Sequence, residues 1–291
     1  MPSLKEVRAR IASVASTSKI TSAMKLVSAA KLRRAQDAIT SFLPYQQKLM
    51  QMLANFIASS TEELAVPLAQ VRDVKKVAVV AISSNSSLCG AFNSNVIKEA
   101  LKVIGQYENL GKENIKVYAI GKKMADALER KGYKSEGVYN DLVDKPDYDK
   151  TVALVNELIE KFVNKEIDKV VLVYNHMRNA ASQDLRAEQF LPVAPSESKD
   201  GEKHTVDYIL EPDKNKVVLA LVPRVVRLHL YGSILDSVAA EHGARTTAMQ
   251  IATDNASELM QELTLKYNKA RQAAITNELI DIVGGSEGLN S

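Results

Sequence analysis

From Leu4 onward, apolar residues recur at steps of three and four: Leu4, Val7, Ile11 and Val14. A 3.5-residue repeat keeps one stripe of a helix turned toward a partner helix, so this spacing predicts a coiled-coil seam. No glycine precedes Gly90, and Pro44 is the only proline between Pro2 and Pro67. The first ~57 residues are therefore expected to propagate as one helix, with Pro44 the place for a bend. Continuing the register gives Ser18, Thr21, Lys25 and Ser28 before Leu32, Ala35, Ile39 and Phe42 restore the apolar line. The seam is expected to be interrupted there, where Ile20, Met24 and Val27 form a rotated stripe that a simple two-stranded zipper would not need.

The other end of the chain mirrors this. From Asp213 to Val283 helix formers dominate, with Pro223, Gly232 and Gly243 as the only breakers. Leu259, Leu263, Ala270, Ala274 and Ile282 recur at roughly helical spacing. A helix of ~70 residues would span on the order of 100 Å, too long to be buried inside its own chain.

Between the two helices the pattern becomes strand, helix, strand. "KVAVVAI" from Lys76, "IKVYAI" and "KVVLVYN" from Lys169 are continuous apolar runs that suit strands buried on both faces. Helical patterns fall near Asn93 to Tyr107, Lys122 to Lys131 and Lys150 to Asn164. Such alternation predicts an α/β domain with a mostly parallel sheet and helices on both sides. "AEQFLPV" reads as an edge strand closed by Pro192 and Pro195, and "APSESKDGEKH" as an exposed loop. The expected divisions are residues 1–57, 58–211 and 212–291. One long helix leads into the domain and the other leads out, so if they pack together they run antiparallel.

Composition adds limits. With 46% apolar and 25% charged residues the chain is ordinary for a soluble protein. The single cysteine, Cys89, excludes an internal disulfide framework and points to a reducing compartment. The histidines are scattered, without zinc-ligand spacing. No stretch approaches ~20 uncharged residues, the best, "VVLALVPRVVRLHL", being broken by Arg224 and Arg227. The net charge of +3 is unevenly spread: Lys5, Arg8, Lys19, Lys25, Lys31 and Arg34 are among many cations in the first forty residues, against only Glu6 and Asp37. A basic helix of this kind suits an acidic partner, a nucleic acid or a membrane surface, or is simply a solvated face.

The loop "SSNSSLCGAF" after the first strand has the outline of a phosphate cradle. It contains neither G-x-G-x-x-G nor G-x-x-x-x-G-K-[ST], and one glycine, Gly90, leaves little room for a pyrophosphate. The simpler expectation is a strand-to-helix turn with Asn93 or Ser94 capping the helix and Cys89 as a small buried hydrophobe. Nothing resembles a nucleophile elbow, H-E-x-x-H or a kinase loop. The residues alone favour a mechanical or scaffolding protein over an enzyme.

The tail "ATDNASELMQELTLKYNKARQAAITNELIDIVGG", Ala252 to Gly285, closely resembles the C-terminal helix of the gamma subunit of rotary F-type ATP synthases. "RIASVASTSKITSAMKLVSAAKLRRAQ", Arg10 to Gln36, and "LCGAFNSN", Leu88 to Asn95, resemble the same family, so the likeness runs from one end of the chain to the other. It implies an antiparallel coiled-coil shaft beside a Rossmann-like domain, turned by a ring of c subunits inside three alpha and three beta subunits, with catalysis on beta. It implies no cofactor on this chain, no nucleic acid, an epsilon partner, and a peripheral place on the cytoplasmic side of a bacterial inner membrane. Within "KARQAAITNEL", Arg271, Gln272, Thr276 and Glu278 match the segment that contacts beta-subunit loops; Met24 and Lys25, in "ITSAMK", match a segment facing an acidic beta loop. "DYILEPD" matches a segment near the c-ring, implicating Tyr208 and Glu211, with Lys31 and Arg34 as further foot residues.

The chain also departs from this pattern. Asn85, Ser86 and Ser87 stand where the family commonly has Asp-Arg-Gly, and Gly284-Gly285-Ser286 where Gly-Ala is usual. No cysteine-bearing insertion of the chloroplast type is present, so thiol regulation is not expected. The competing readings are a nucleotide-binding α/β enzyme with helical dimerisation arms, which would depend on Gly90 and Asn93, and a basic helical scaffold for nucleic acid.

Overall fold

A computed structural model describes residues 3–58, 67–180, 182–193 and 213–289. In chain order the helices and strands are α1 (Leu4–Ala58), β1 (Val77–Ile82), α2 (Phe92–Gly105), β2 (Ile115–Ile120), α3 (Lys122–Glu129), α4 (Asp141–Asp144), α5 (Tyr148–Val163), β3 (Lys169–Met177), β4 (Gln183–Leu191) and α6 (Lys214–Leu289). The chain divides into two compact units, Ala29–Arg245 and Met1–Ser28 with Thr246–Ser291.

In the larger unit the strands lie in the order β2-β1-β3-β4. β1 pairs in parallel with β2 and β3, and β4 closes one edge antiparallel to β3. All of β1 is buried because successive side chains enter different cores. Ala78, Val80 and Ile82 join Leu154, Leu158 and Phe162 of α5 and Val222 and Leu230 of α6. Val77, Val79 and Ala81 join Val96 and Ala100 of α2 and Met124 of α3. The expected mostly parallel sheet covered on both faces is therefore present, and the run "AEQFL" lies within the edge strand β4. The loop expected at "APSESKDGEKH" falls outside the described residues.

The supposed breakers do not break the second helix: Pro223, Gly232 and Gly243 all lie within α6. Gly232 is there because α1 passes close by. A Cβ on it would sit 3.1 Å from both Gln46 Oε1 and Phe42 Cε1, so the helix-propensity cost of glycine is offset by tight helix packing. An 18-residue window of α6 has a mean hydropathy of 1.5, which by length and composition would suit a membrane span. That differs from the expectation, in which Arg224 and Arg227 ended the run. Its apolarity has a local use, since Val218, Val222, Val225, Val226 and Leu228 are buried in the core under the sheet.

The smaller unit is an antiparallel helix pair. Arg8 Nη2 bonds Tyr267 Oη, Thr21 Oγ1 meets Thr253 Oγ1 at 2.8 Å, and Lys25 Nζ donates to Gln250 Oε1 at 2.8 Å. Each advance along α1 is matched by a retreat along α6. Ser18, Thr21, Lys25 and Ser28 hold the buried or half-buried line, so the seam is not interrupted as expected; it is polar. Ile20 and Val27 of the rotated stripe are instead 60% and 58% exposed. The hydroxyls tolerate burial because their two protons are both placed: one hydroxyl donates across the seam to the other, which donates back to a carbonyl of its own helix, Ser18 for Thr21 or Met249 for Thr253.

This arrangement predicts a non-additive pair. Thr21→Val should cost about 1 kcal/mol, whereas Thr21→Val with Thr253→Val should return most of it, because an isosteric apolar pair leaves no hydroxyl unpaired across the seam. Denaturant unfolding of the two single variants and the double variant reads this coupling; strictly additive losses would contradict it.

Candidate functional site

The loop after β1 is closed on itself and on α6. Ser84 N donates to Asn93 Oδ1 at 3.1 Å, and Asn93 Nδ2 reaches Ser84 Oγ, Ser86 O and Cys89 Sγ at 2.8, 3.2 and 3.1 Å. Asn93 is thus inside the first turn of α2 and knots the loop rather than capping the helix. The N-cap is Ala91, with no side-chain cap bond, so the expected Asn93 or Ser94 cap is replaced. Cys89, 1% exposed, packs with Phe92, Ala240 and Ala244, as a small buried hydrophobe should.

From α6, Arg245 donates to Ser86 Oγ at 2.9 Å and to the Ser87 carbonyl. It also pairs with Glu241 at 2.7 Å, both side chains being nearly fully buried. Burial pushes the Glu241 carboxyl above its usual range even with Arg245 beside it. Burial, with Lys31 and Arg245 nearby, lowers His242 to about 4, so its ring is neutral at pH 7. The phosphate-cradle outline is therefore filled from within: the loop's serines and Asn93 bond one another, and the cation that faces them is spent on a carbonyl, a hydroxyl and a carboxylate.

The residues implicated on the helix pair fall into separate patches. Met24 and Lys25 are half-buried, Lys25 engaged with Gln250. Arg271, Gln272, Thr276 and Glu278 are all exposed, with Thr276 Oγ1 bonded back to the Gln272 carbonyl. Along α6 the second patch lies about 30 Å from Gln250, at 1.5 Å rise per residue. In the larger unit Lys31 and Arg34 are exposed, with Lys31 near Glu241 and His242. Tyr208 and Glu211 lie outside the described residues.

A family model described as ATP synthase matches residues 3–289. The ATP synthase gamma chain of Bacteroides fragilis is 51% identical over 289 residues, covering 98% of this chain and 99% of that one. That of Flavobacterium johnsoniae is 51% identical over 290 residues and covers 100% of both. This chain belongs to the ATP synthase gamma family.

The gamma-family fold is also seen in a chain of the cryo-EM structure of Euglena gracilis mitochondrial ATP synthase, OSCP/F1/c-ring, rotational state 3. The match has a TM-score of 0.66 at 19% identity, over 98% of this chain and 94% of that one. A chain of the Tetrahymena thermophila mitochondrial central stalk/c-ring structure matches with a TM-score of 0.57 at 21% identity, over 80% of this chain and 99% of that one.

Within this gamma-family chain, Asn85 and Ser86, two of the three residues that depart from the pattern expected from the resemblance, are engaged by local contacts. The Asn85 carboxamide donates to the Asn140 carbonyl at 2.9 Å and to Asp144 Oδ2 at 2.8 Å, while its oxygen accepts from Lys122 N at 2.9 Å. An ionised aspartate has no N–H to give and would set a like charge against Asp144. At position 86, an arginine would bring a second guanidinium to Arg245, where Ser86 now offers an acceptor. Sequence reading missed Arg245 and Glu241 because an i, i+4 acid-base pair looks like ordinary surface decoration. The flanking small residues of "AAEHGAR" were the available sign that this turn is buried.

Proposed function

We propose that this chain is the central-stalk rotor of an F-type ATP synthase, a subunit that carries torque and leaves the bond chemistry to the beta subunits. The observation that carries this reading is the bare end of α6. By the register of Arg8 with Tyr267, the start of α1 lies opposite residue ~271, so α6 extends about 27 Å beyond its partner. There Ile275, Leu279, Ile280, Ile282 and Val283 are 48–68% exposed. Ile282, one of the tail residues that recur at roughly helical spacing, is among them. Such a surface is costly in water and suits a surrounding sleeve of other subunits.

In this reading, proton flow turns the c-ring and the foot turns with it, through Lys31, Arg34, Tyr208 and Glu211. The asymmetric shaft then favours a different conformation of each beta subunit at each angle, which couples rotation to ATP synthesis or, in reverse, hydrolysis to proton pumping. Arg271 forks to a beta-loop carboxylate, and Gln272, Thr276 and Glu278 exchange hydrogen bonds as the shaft turns. Met24 and Lys25 face an acidic beta loop on the other patch. The chain is peripheral to the membrane, on its cytoplasmic side, with epsilon beside it.

Affinity purification of the tagged full chain should bring down alpha and beta subunits. Arg271→Ala with Gln272→Ala should lower coupled ATP synthesis while nucleotide binding by the beta sites is unchanged. Failure to assemble with alpha and beta would overturn the rotor reading, and unchanged coupling would remove Arg271 and Gln272 from it.

A further inference from the structure

In the larger unit a cleft of about 520 Å³ lies between α2 and the β3–β4 hairpin. From α2 it takes Asn95, Lys98, Glu99 and Lys102, whose steps of three and four put them on one flank of the helix. From the hairpin it takes Asn175 and Gln183. Along β3, Val171 and Val173 enter the core under α2, and Asn175 is the next residue of that row. A valine there would continue the core; an amide brings two N–H donors and an oxygen that need partners.

Those needs are not met within the chain. Asn175 is only 3% exposed, yet its Nδ2 is buried without a hydrogen-bond partner, and so is Nε2 of Gln183. A buried donor left unpaired is costly, and a pair of them on one cleft wall calls for acceptor atoms from outside the fold. The charges around the cleft lean the same way. Glu99 is the one carboxylate lining it, and both its oxygens accept from Lys102 Nζ, at 3.1 and 3.3 Å. Lys98 is exposed and has no ion-pair partner among the described residues. Asp184, next to Gln183 in sequence, is turned to the opposite side of the sheet by strand alternation and does not line the cleft. The donors in excess are thus two amides and one ammonium group, and a volume many times that of a single water leaves room for more than solvent.

We infer that this cleft binds a small oxyanion of the phosphate type, whose oxygens accept from the Asn175 and Gln183 amides while Lys98 balances its charge. The site belongs to the sheet and its covering helix, so it stands independently of the rotor reading and needs no partner subunit.

Calorimetric titration of inorganic phosphate into the full-length chain, with ionic strength held constant by chloride, should show saturable binding with a dissociation constant on the order of 1 mM. Asn175→Leu should weaken that binding about tenfold or more, and Lys98→Gln by about threefold or more. Without phosphate, Asn175→Leu should unfold in urea at the same concentration as the parent chain or a higher one, because an apolar group of similar size replaces a donor that had no partner. Absence of saturable binding, or binding that Asn175→Leu leaves unchanged, would overturn the inference. So would an Asn175→Leu chain clearly less stable than its parent, since the amide would then be serving the fold itself.

Discussion

Arg245→Met should destabilise the larger unit by about 3–5 kcal/mol near neutral pH, the usual cost of stranding one member of a buried ion pair. Arg245 and Glu241 are 7% and 6% exposed, so water cannot take over the lost contacts. The loop loses its anchor at Ser86 and Ser87 in the same step. The deficit should depend on pH in a defined sense. Burial holds the folded-state Glu241 carboxyl above its usual value, with Arg245 opposing that rise. A raised folded pKa means that the folded state binds the proton more tightly than the unfolded chain. The associated stability is complete below the ordinary carboxylate range and is lost as pH climbs through the folded value. Removing Arg245 lifts that value further, so the deficit should be larger at about pH 8 than at about pH 5. Adding Glu241→Gln removes the stranded charge and should recover much of the loss. Urea unfolding of the single and double variants at the two pH values measures both effects; a deficit that is flat with pH, or a double variant as unstable as the single, would show that the ion pair is not its source.

Gly121→Ala should cost about 3 kcal/mol or more. Gly121 follows β2 with φ of +100°, and a Cβ there would lie 2.3 Å from the Ser83 carbonyl oxygen and 2.8 Å from its carbon. These are backbone atoms and cannot swing aside. Ser83 is itself fixed, its N–H on the Ile120 carbonyl and its hydroxyl accepting the Met124 N–H, each at 2.8 Å. To admit a methyl group, the C-terminal ends of β1 and β2 must part or α3 must leave its seat. Gly132 is the natural control, since it also has positive φ but its nearest neighbour would be Lys112 Nζ at 3.5 Å. Gly132→Ala should therefore cost only about 1 kcal/mol, the backbone part alone. Equal losses in thermal unfolding of the two variants would show that the close approach at Ser83 does not matter.

The elements that could be read along the chain were those whose partners are generic. The 3-4 run from Leu4 needs any second helix, and "VAVVAI" needs any neighbour strand, so periodicity alone revealed α1 and β1. The glycine in α6 could not be read that way, because Gly232 makes sense only once Phe42 and Gln46 are found beside it. Nor could the hydroxyl seam, where Ser18, Thr21 and Ser28 look like a gap in a zipper until Thr253 supplies the other half. The patches around Met24 and Arg271 were recognised from the resemblance alone; Met24 is half-buried and Arg271 exposed, and exposed polar residues cover much of any helix. Arg245 and Glu241 lay hidden for the opposite reason, as charges in a place where sequence rules expect none.

Placing threonine and serine on the inside of the helix pair and Ile20, Leu26 and Val27 on the outside has a practical consequence for anyone handling this chain. The inner contact forgoes much of the apolar burial that usually holds two helices together, and the outer stripe remains open to whatever apolar surface is nearest. Produced without its assembly, the chain should be sticky and only weakly held in its native pairing. Much of its apparent robustness in the complex is then lent by its neighbours through mass action, and is lost on dilution or when subunit supply is unbalanced.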